Sequence, residues 1–435
     1  MDELFRKLKQ TMKTAKCVKS ICILMLLAGG ASMGAGEEAP RTDINPALLY
    51  YQAFLLAPEP MSRADMEYLG TKDGHRWKLP ERFGTIVPGY DNQFKLVRVA
   101  ARSTAPCDWG LDTGEGPATL LPHMARVKAV AQATVVRVRW ELQHGLQAEA
   151  RDDLLGTVAM ARNVSRGGVL ISTLVQIATE AIACDIVAEN FGRFSAETLK
   201  QLADGFEAGP PRGTVAGCIP AEKTMCLDWF ARKIREMQAA NPGDDAKAMK
   251  ALGELFDLMV VEPKTGPDAN SAQTFSWERL VKAAGGTSQG VLKLIRDLDT
   301  TAQELKAILT LPYADFESRA NAFSAEIQKS PNPLAPLMVP SWERARSREF
   351  RIQVYLAMIR AAVEYKLHGD SGLQGVADPC GQGPFVLRRF VFQGVDRGFQ
   401  LTSALNAPDS RSLIFVEKEG EPFHVDGPRV GQAFE

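Results

Sequence analysis

Histidine is scarce in this chain, with five in 435 residues. No CxxC or HxxH spacing occurs, so the paired thiols and imidazoles of a structural zinc site are missing. No glycine-rich phosphate loop is present, which removes the fingerprint of nucleotide-dependent catalysis. Neither charge sign is in surplus: 51 Lys and Arg face 52 Asp and Glu. That balance argues against nucleic acid as the main partner. Beyond the first thirty residues, no segment reads as long and apolar enough to span a bilayer. These absences leave no cofactor and no metal to expect.

The N-terminus has a clear pattern. Arg6, Lys7, Lys9, Lys13, Lys16 and Lys19 precede the apolar run Ile21–Ala28, and small residues lead to Gly34-Ala35-Gly36. Basic region, short apolar core and small-residue exit are the parts of a secretory signal peptide. The expected cut follows Gly36, with Met12 as an alternative start. The apolar core is short of the ~20 residues of a spanning helix, so cleavage is expected rather than anchoring. Without residues 1–36, 45 basic residues face 50 acidic ones, a net charge near −5. Cys107, Cys184, Cys218, Cys226 and Cys380 remain. An odd number of thiols in an exported chain leaves at least one unpaired. Cys218 and Cys226 are the natural local pair if a disulfide forms; otherwise each is a single buried residue.

The middle of the chain has helical periodicity. Asn45-Pro46 pairs an N-cap with proline at the first helical position. Val127, Val130, Ala131, Thr134, Val138 and Leu142 recur at spacings of three and four, which predicts a helix over 120–144. Gly145 ends it, and 148–163 is the return helix. Residues 169–191 are apolar all round, as suits the centre of a helical layer. Further helices are expected over 195–206, 220–240, 245–261, 275–284, 288–309, 312–329 and 341–367, with a polar loop at 263–273. After His368-Gly369 the period changes. Phe385–Phe392, Gly398–Ser403 and Leu413–Glu417 alternate as strands between turn residues. The expected organisation is a signal over 1–36, a helical domain over 37–371 and a small β-rich module over 372–435. The fold class is mainly α, stacked antiparallel helical hairpins with a C-terminal antiparallel β appendage.

Three resemblances follow. Trp140, Gly145, Ala148, Ala150, Ala159 and Ala161 resemble one tetratricopeptide-like hairpin, without a second copy at a period of ~34 residues. Cys107-Asp108-Trp109-Gly110-Leu111-Asp112, Leu121-Pro122-His123-Met124, 148–162, 169–178 and the early Leu48–Phe54 segment resemble a group of exported helical proteins of planctomycete-like bacteria. That likeness covers roughly 43–192 and implies a compartment and a fold class, but no mechanism. Asp378-Pro379-Cys380-Gly381, Arg388-Arg389 and Gly398-Phe399-Gln400-Leu401 resemble the end of type II secretion pseudopilins. Cys380 stands where those have an aromatic residue, and the apolar pilin helix is lacking. The likeness therefore implies a helix-plus-hairpin module, not a pilin.

The most suggestive polar cluster is Asp108, Asp112, Glu115 and His123 around the Gly110–Gly116 loop. Two such carboxylates can act as general acid and base on a glycosidic bond, or bind a hard cation. The plain alternative is a tightly turned, acid-capped start to the next helix, with Trp109 as a core plug. Gly286-Thr287-Ser288-Gln289-Gly290 matches GxSxG, but the nucleophile elbow needs a preceding strand, and a helix break with an N-cap suits the context better. His75, His144, His368 and His424 lack partner spacing. Arg126, Lys128, Arg137 and Arg139 read as a solvated helix face or as partners of Glu141 and Glu149, and Arg344, Arg346, Arg348 and Arg351, balanced by Glu343 and Glu349, as a second solvated face. The favoured function is a periplasmic or secreted binding or structural scaffold without catalytic activity, its partners envelope proteins or peptides. The alternative is a periplasmic hydrolase using carboxylates of the 108–115 loop.

Overall fold

A computed structural model describes residues 42–69, 78–259, 277–338, 340–406 and 412–419. The expected signal, the polar loop at 263–273, His75 and His424 lie outside the described residues. Asp43–Glu435 cluster as one compact unit, apart from Met1–Thr42.

The fold is mainly α with a small antiparallel sheet at its C-terminal end. Helix α1 (Pro46–Leu55) starts where Asn45 Oδ1 accepts from the Ala47 amide at 3.0 Å. The chain continues through α2 (Arg63–Leu69), the short α3 (Phe83–Ile86), and α4 (Asp91–Ala101). A long hairpin follows, α5 (His123–Gln143) and α6 (Gln147–Ser165). Gly145 turns between them at φ +74°, a backbone conformation that favours glycine. Helix α7 (Leu170–Glu189) packs against α5 and α6.

By length and hydropathy α7 qualifies as a membrane-crossing helix, which corrects the expectation that no later segment does. About half of it, 56%, is nevertheless buried inside the protein, and its Gln176 and Glu180 are fully enclosed. Apolar composition here builds the centre of a helical layer.

Helices α8 (Ala196–Ala208) and α9 (Val215–Lys223) follow. The single helix expected over 220–240 differs in two ways. It begins earlier, because the Thr214 hydroxyl accepts from the Gly217 amide and caps α9 at Val215. It is then interrupted by a π-helical turn at Thr224–Asp228 before α10 (Trp229–Ala240). Pro220, inside α9, lacks the amide a regular helix would use there. Helices α11 (Asp245–Met259), α12 (Trp277–Ala283), α13 (Ser288–Leu309), α14 (Tyr313–Gln328), α15 (Pro340–His368) and α16 (Asp370–Gln374) complete the helical part.

Strands β1 (Val386–Phe392), β2 (Val395–Thr402) and β3 (Ser412–Val416) form an antiparallel sheet in the order β1-β2-β3. A register shift between Phe390 and Val391 bends β1, and exposed Arg388 and Arg389 line it. Bulge and charge both disfavour edge-to-edge pairing. Phe399 and Phe415 stack at 5.1 Å and meet Phe191 and Tyr365 edge-on. One hydrophobic cluster therefore runs from the helices into the sheet. A three-stranded sheet gains stability from such packing.

Candidate functional site

The 108–115 loop is built from local caps. Asp108 Oδ1 accepts from the Gly110 amide at 2.9 Å. Asp112 Oδ1 accepts from the Gly114 amide at 2.8 Å and caps a 3-10 turn over Thr113–Ala118, not helix α5. Glu115 is exposed. The loop docks on α10: Arg232 donates to the Gly114 carbonyl. Gly116, at φ +61°, lies so close to Trp229 that a Cβ would come within 2.3 Å of its ring.

His123, the first residue of α5, is only 1% exposed. Its ring stacks on Trp109 at 4.5 Å, and Trp109 in turn stacks on Tyr50 and Phe54. Trp109 Nε1 donates to the Asn163 carbonyl at 3.0 Å. Neither His123 nitrogen has a hydrogen-bond partner, and burial pushes its pKa down. A neutral ring in an aromatic stack results. No hydrogen bond or ion pair joins any two of Asp108, Asp112, Glu115 and His123. Trp109 is the core plug of this region.

The GxSxG segment is a helix start. Thr287 Oγ1 accepts from the Gly290 amide at 3.1 Å and caps α13. Ser288 is buried, with Asp245 and Gln238 on its hydroxyl. His144 closes α5 by bonding the Trp140 carbonyl at 2.8 Å, and exposed His368 ends α15. Cys218 and Cys226 are both free thiols, so the local disulfide does not form. Cys218 is buried on α9, as expected of a single thiol, with Thr173 at 3.1 Å from its sulfur; Cys226 corrects that expectation, since the π turn leaves it exposed.

The two expected basic faces are only partly solvated. Arg126, Lys128, Arg344 and Arg348 are exposed. Arg137, Arg139 and Arg346 are buried, because carboxylates or carbonyls meet them inside. Arg137 donates to Asp153 at 2.7 Å, Asp91 at 2.7 Å and Glu141 at 3.0 Å. Arg346 donates to Glu349 at 2.6 Å and the Leu311 carbonyl at 2.9 Å.

A second buried cluster opens onto a cavity. Glu180 on α7 is fully enclosed. It accepts from Arg162 Nε at 2.8 Å and from Arg212 Nε at 3.1 and 3.0 Å. Gln176 adds a longer bond at 3.2 Å. Arg162 Nη1 also donates to the Phe206 carbonyl at 2.6 Å, which ties α6 to the end of α8. Arg162 and Arg212 border a cavity of about 400 Å³ whose apolar walls include Phe206, Pro211 and Leu356. Arg360 of α15 lies at its rim and borders a neighbouring hollow of about 620 Å³ with Glu364 and His368. Arg360 is held by Glu207 at 2.9 Å and Asp204 at 2.8 Å.

None of these groove residues was singled out by the sequence reading. A signal existed: Gln176 and Glu180 stand one turn apart in an otherwise apolar helix. A carboxylate in such a helix must find a cation when the helix is buried. No family model, no curated protein and no solved structure matches the chain.

Proposed function

We propose that the protein is an exported, non-catalytic binding scaffold of the cell envelope, and that its ligand-binding site is the groove between α6, α8 and α15. The export part of this reading rests on residues 1–36. The binding part rests on one observation above others: two guanidinium groups, Arg162 and Arg212, share the single buried carboxylate of Glu180 beside a largely apolar cavity. Around Glu180 itself the guanidinium groups outnumber the carboxylate by one, where water is partly excluded, while Glu207 at the cavity's rim is matched by Arg360. Guanidinium cannot shed its proton to relieve the excess, and its fork suits a carboxylate.

A fitting ligand has an apolar body and a carboxylate end, as at the C-terminus of a peptide. The cavity lies in the ordinary size range of small-ligand sites, ~300–1,000 Å³. The test is calorimetric titration of the mature chain with N-acetyl-Leu-Leu as the free acid and as the amide. The acid should bind at least about tenfold tighter, about 1.4 kcal/mol, and Arg212→Gln should remove the difference. Equal binding of acid and amide would refute the anionic site. No specific observation favours a hydrolase acting through Asp108, Asp112 or Glu115, since both aspartates are used to close turns.

A further inference from the structure

The arginine groove continues past Arg360. Arg360 and Val376 border both the cavity of about 400 Å³ and the hollow of about 620 Å³, so the two adjoin. Leu356, Arg360, Glu364 and His368 follow one another at single-turn spacing along α15 and lead from the first space into the second. That stripe is ~18 Å long at about 1.5 Å of rise per residue. An extended chain covers it in about five residues, at ~3.3 Å each.

The two spaces are lined differently. Phe206, Pro211 and Leu356 give the first an apolar wall beside Arg162 and Arg212. Beyond the shared Arg360 and Val376, the second is bordered by Glu364, His368, Ser371, two glycines and Ala377. Its charges are matched among themselves. Glu364 lies 3.7 Å from both Arg360 and His368, and Arg360 is drawn toward α8 by Glu207 and Asp204. The hollow therefore selects no particular charge, but it does present backbone. Ala377 is exposed and faces Pro384 in an isolated antiparallel bridge. Among the described residues, nothing bonds its amide or its carbonyl.

We propose that groove and hollow together hold the C-terminal tail of a polypeptide, extended along α15 over about five residues. The terminal carboxylate lies at Arg162 and Arg212, and the last side chain, an apolar one, packs between Phe206 and Leu356. The preceding backbone runs through the hollow beside Ala377. This inference rests on the reading of the groove as an anion site and adds what the rest of the ligand is. A fatty acid suits the first space but not the second. Its methylenes would take water from Glu364, Ser371 and the free backbone of Ala377 and return no hydrogen bond. A peptide carries one donor and one acceptor per residue, so it can replace that water. Main-chain pairing then supplies affinity, and the apolar pocket supplies specificity for the last residue.

The test titrates the mature chain calorimetrically with N-acetyl-Leu-Leu acid, with the same acid lengthened at its N-terminal side by three and by five alanines, and with decanoate. The five-residue acid should bind at least about tenfold tighter than the two-residue acid, and the seven-residue acid as tightly as the five, because a tail leaves the hollow into solvent. Ala377→Trp and Ser371→Trp, both at exposed positions, fill the hollow from two sides. Each should cut the gain from two to five residues to under about twofold, with the fold checked by circular dichroism. An undiminished gain in both folded variants overturns the proposal. So does decanoate binding as tightly as the five-residue acid, which assigns the site to a fatty acid. Much weaker binding of the seven-residue acid overturns the tail in favour of a free short peptide. Affinity that ignores length while acid is still preferred to amide overturns this inference and leaves the groove standing; loss of that preference at every length overturns both.

Discussion

Helix α6 carries two buried charge clusters within a few turns of each other, and they differ in sign. At its first half, Asp153 meets Arg137 and Arg98 at 2.7 and 3.3 Å, and Arg137 also holds Glu141 and Asp91. Two buried carboxylates, Asp153 and Glu141, and the largely exposed Asp91 thus face two guanidinium groups. At its second half, Arg162 and Arg212 face the one carboxylate of Glu180. The acid-rich cluster can relieve its imbalance by taking up a proton. Burial, and next the charge of Asp153, push the Glu141 pKa up to about 9. The base-rich cluster has no such recourse, because arginine stays charged. Phe94 covers Arg137 at 4.6 Å, while Arg162 and Arg212 border a cavity. Buried acid is neutralised within the core, whereas the proposed anion site draws on guanidinium that cannot be neutralised.

The sharpest way to break this contrast is Arg137→Met. It strands Asp153 and Glu141 in the core, and should cost about 3–5 kcal/mol in denaturant unfolding. A loss under ~1 kcal/mol would mean that the cluster is not sealed. Glu180→Gln should cost less, about 2 kcal/mol, because Arg212 reaches solvent and can relax toward it.

The third test is pH. Folded Glu141 holds its proton to about 9, whereas the unfolded side chain releases it near the ordinary 4.5. Its contribution is therefore full below that lower value and is lost as pH rises through the folded one. Stability should fall between about pH 5 and 9 on this account. Glu141→Gln should flatten the slope and be the more stable form at pH 8, by roughly 2 kcal/mol. Thermal melts across that range decide it, and an unchanged slope would mean that Glu141 is ionised in the fold.

Arg212→Gln should change stability by under ~1 kcal/mol while abolishing the preference for acid over amide ligands, as side-chain bonds to a partly exposed charge are modest. The smallest effect belongs to the loop first suspected of chemistry. Asp112→Ala should lose only a turn cap, about 0.5–1 kcal/mol, and leave ligand binding in the groove intact.

Much of the architecture is legible before folding. Asn45-Pro46, Gly145 and Ser195 mark helix boundaries within a residue or two of their places, and the change of period near Phe385 marks the sheet. The candidate loop is legible as turns: Asp108 and Asp112 each sit two residues before a glycine whose amide they cap. The buried charges are harder to find. For Arg137 the sequence leaves a solvated face or a pair with Glu141, and the structure has the pair, buried; Arg137 follows Val130 by seven residues and Ala133 by four, on the apolar stripe of α5, so position is a better guide here than charge type. Glu180 likewise shares the buried centre of α7. A one-dimensional pattern places a residue on a face, but the opposite charge that makes its burial tolerable comes from elsewhere in the chain: Asp153 is on the next helix from Arg137, and Arg212 stands 32 residues from Glu180.

The sequence by itself determined helix and strand type, their order and the turn chemistry, because these depend on periodicity and on caps that act over a few residues. It also holds the basic, apolar and small-residue pattern at the start. Only the tertiary structure decided that His123 is a neutral stacking ring, that Cys218 and Cys226 stay apart, and that two arginines converge on Glu180 beside a cavity. Those outcomes depend on desolvation and on pairing between distant segments, and neither quantity exists until the helices pack.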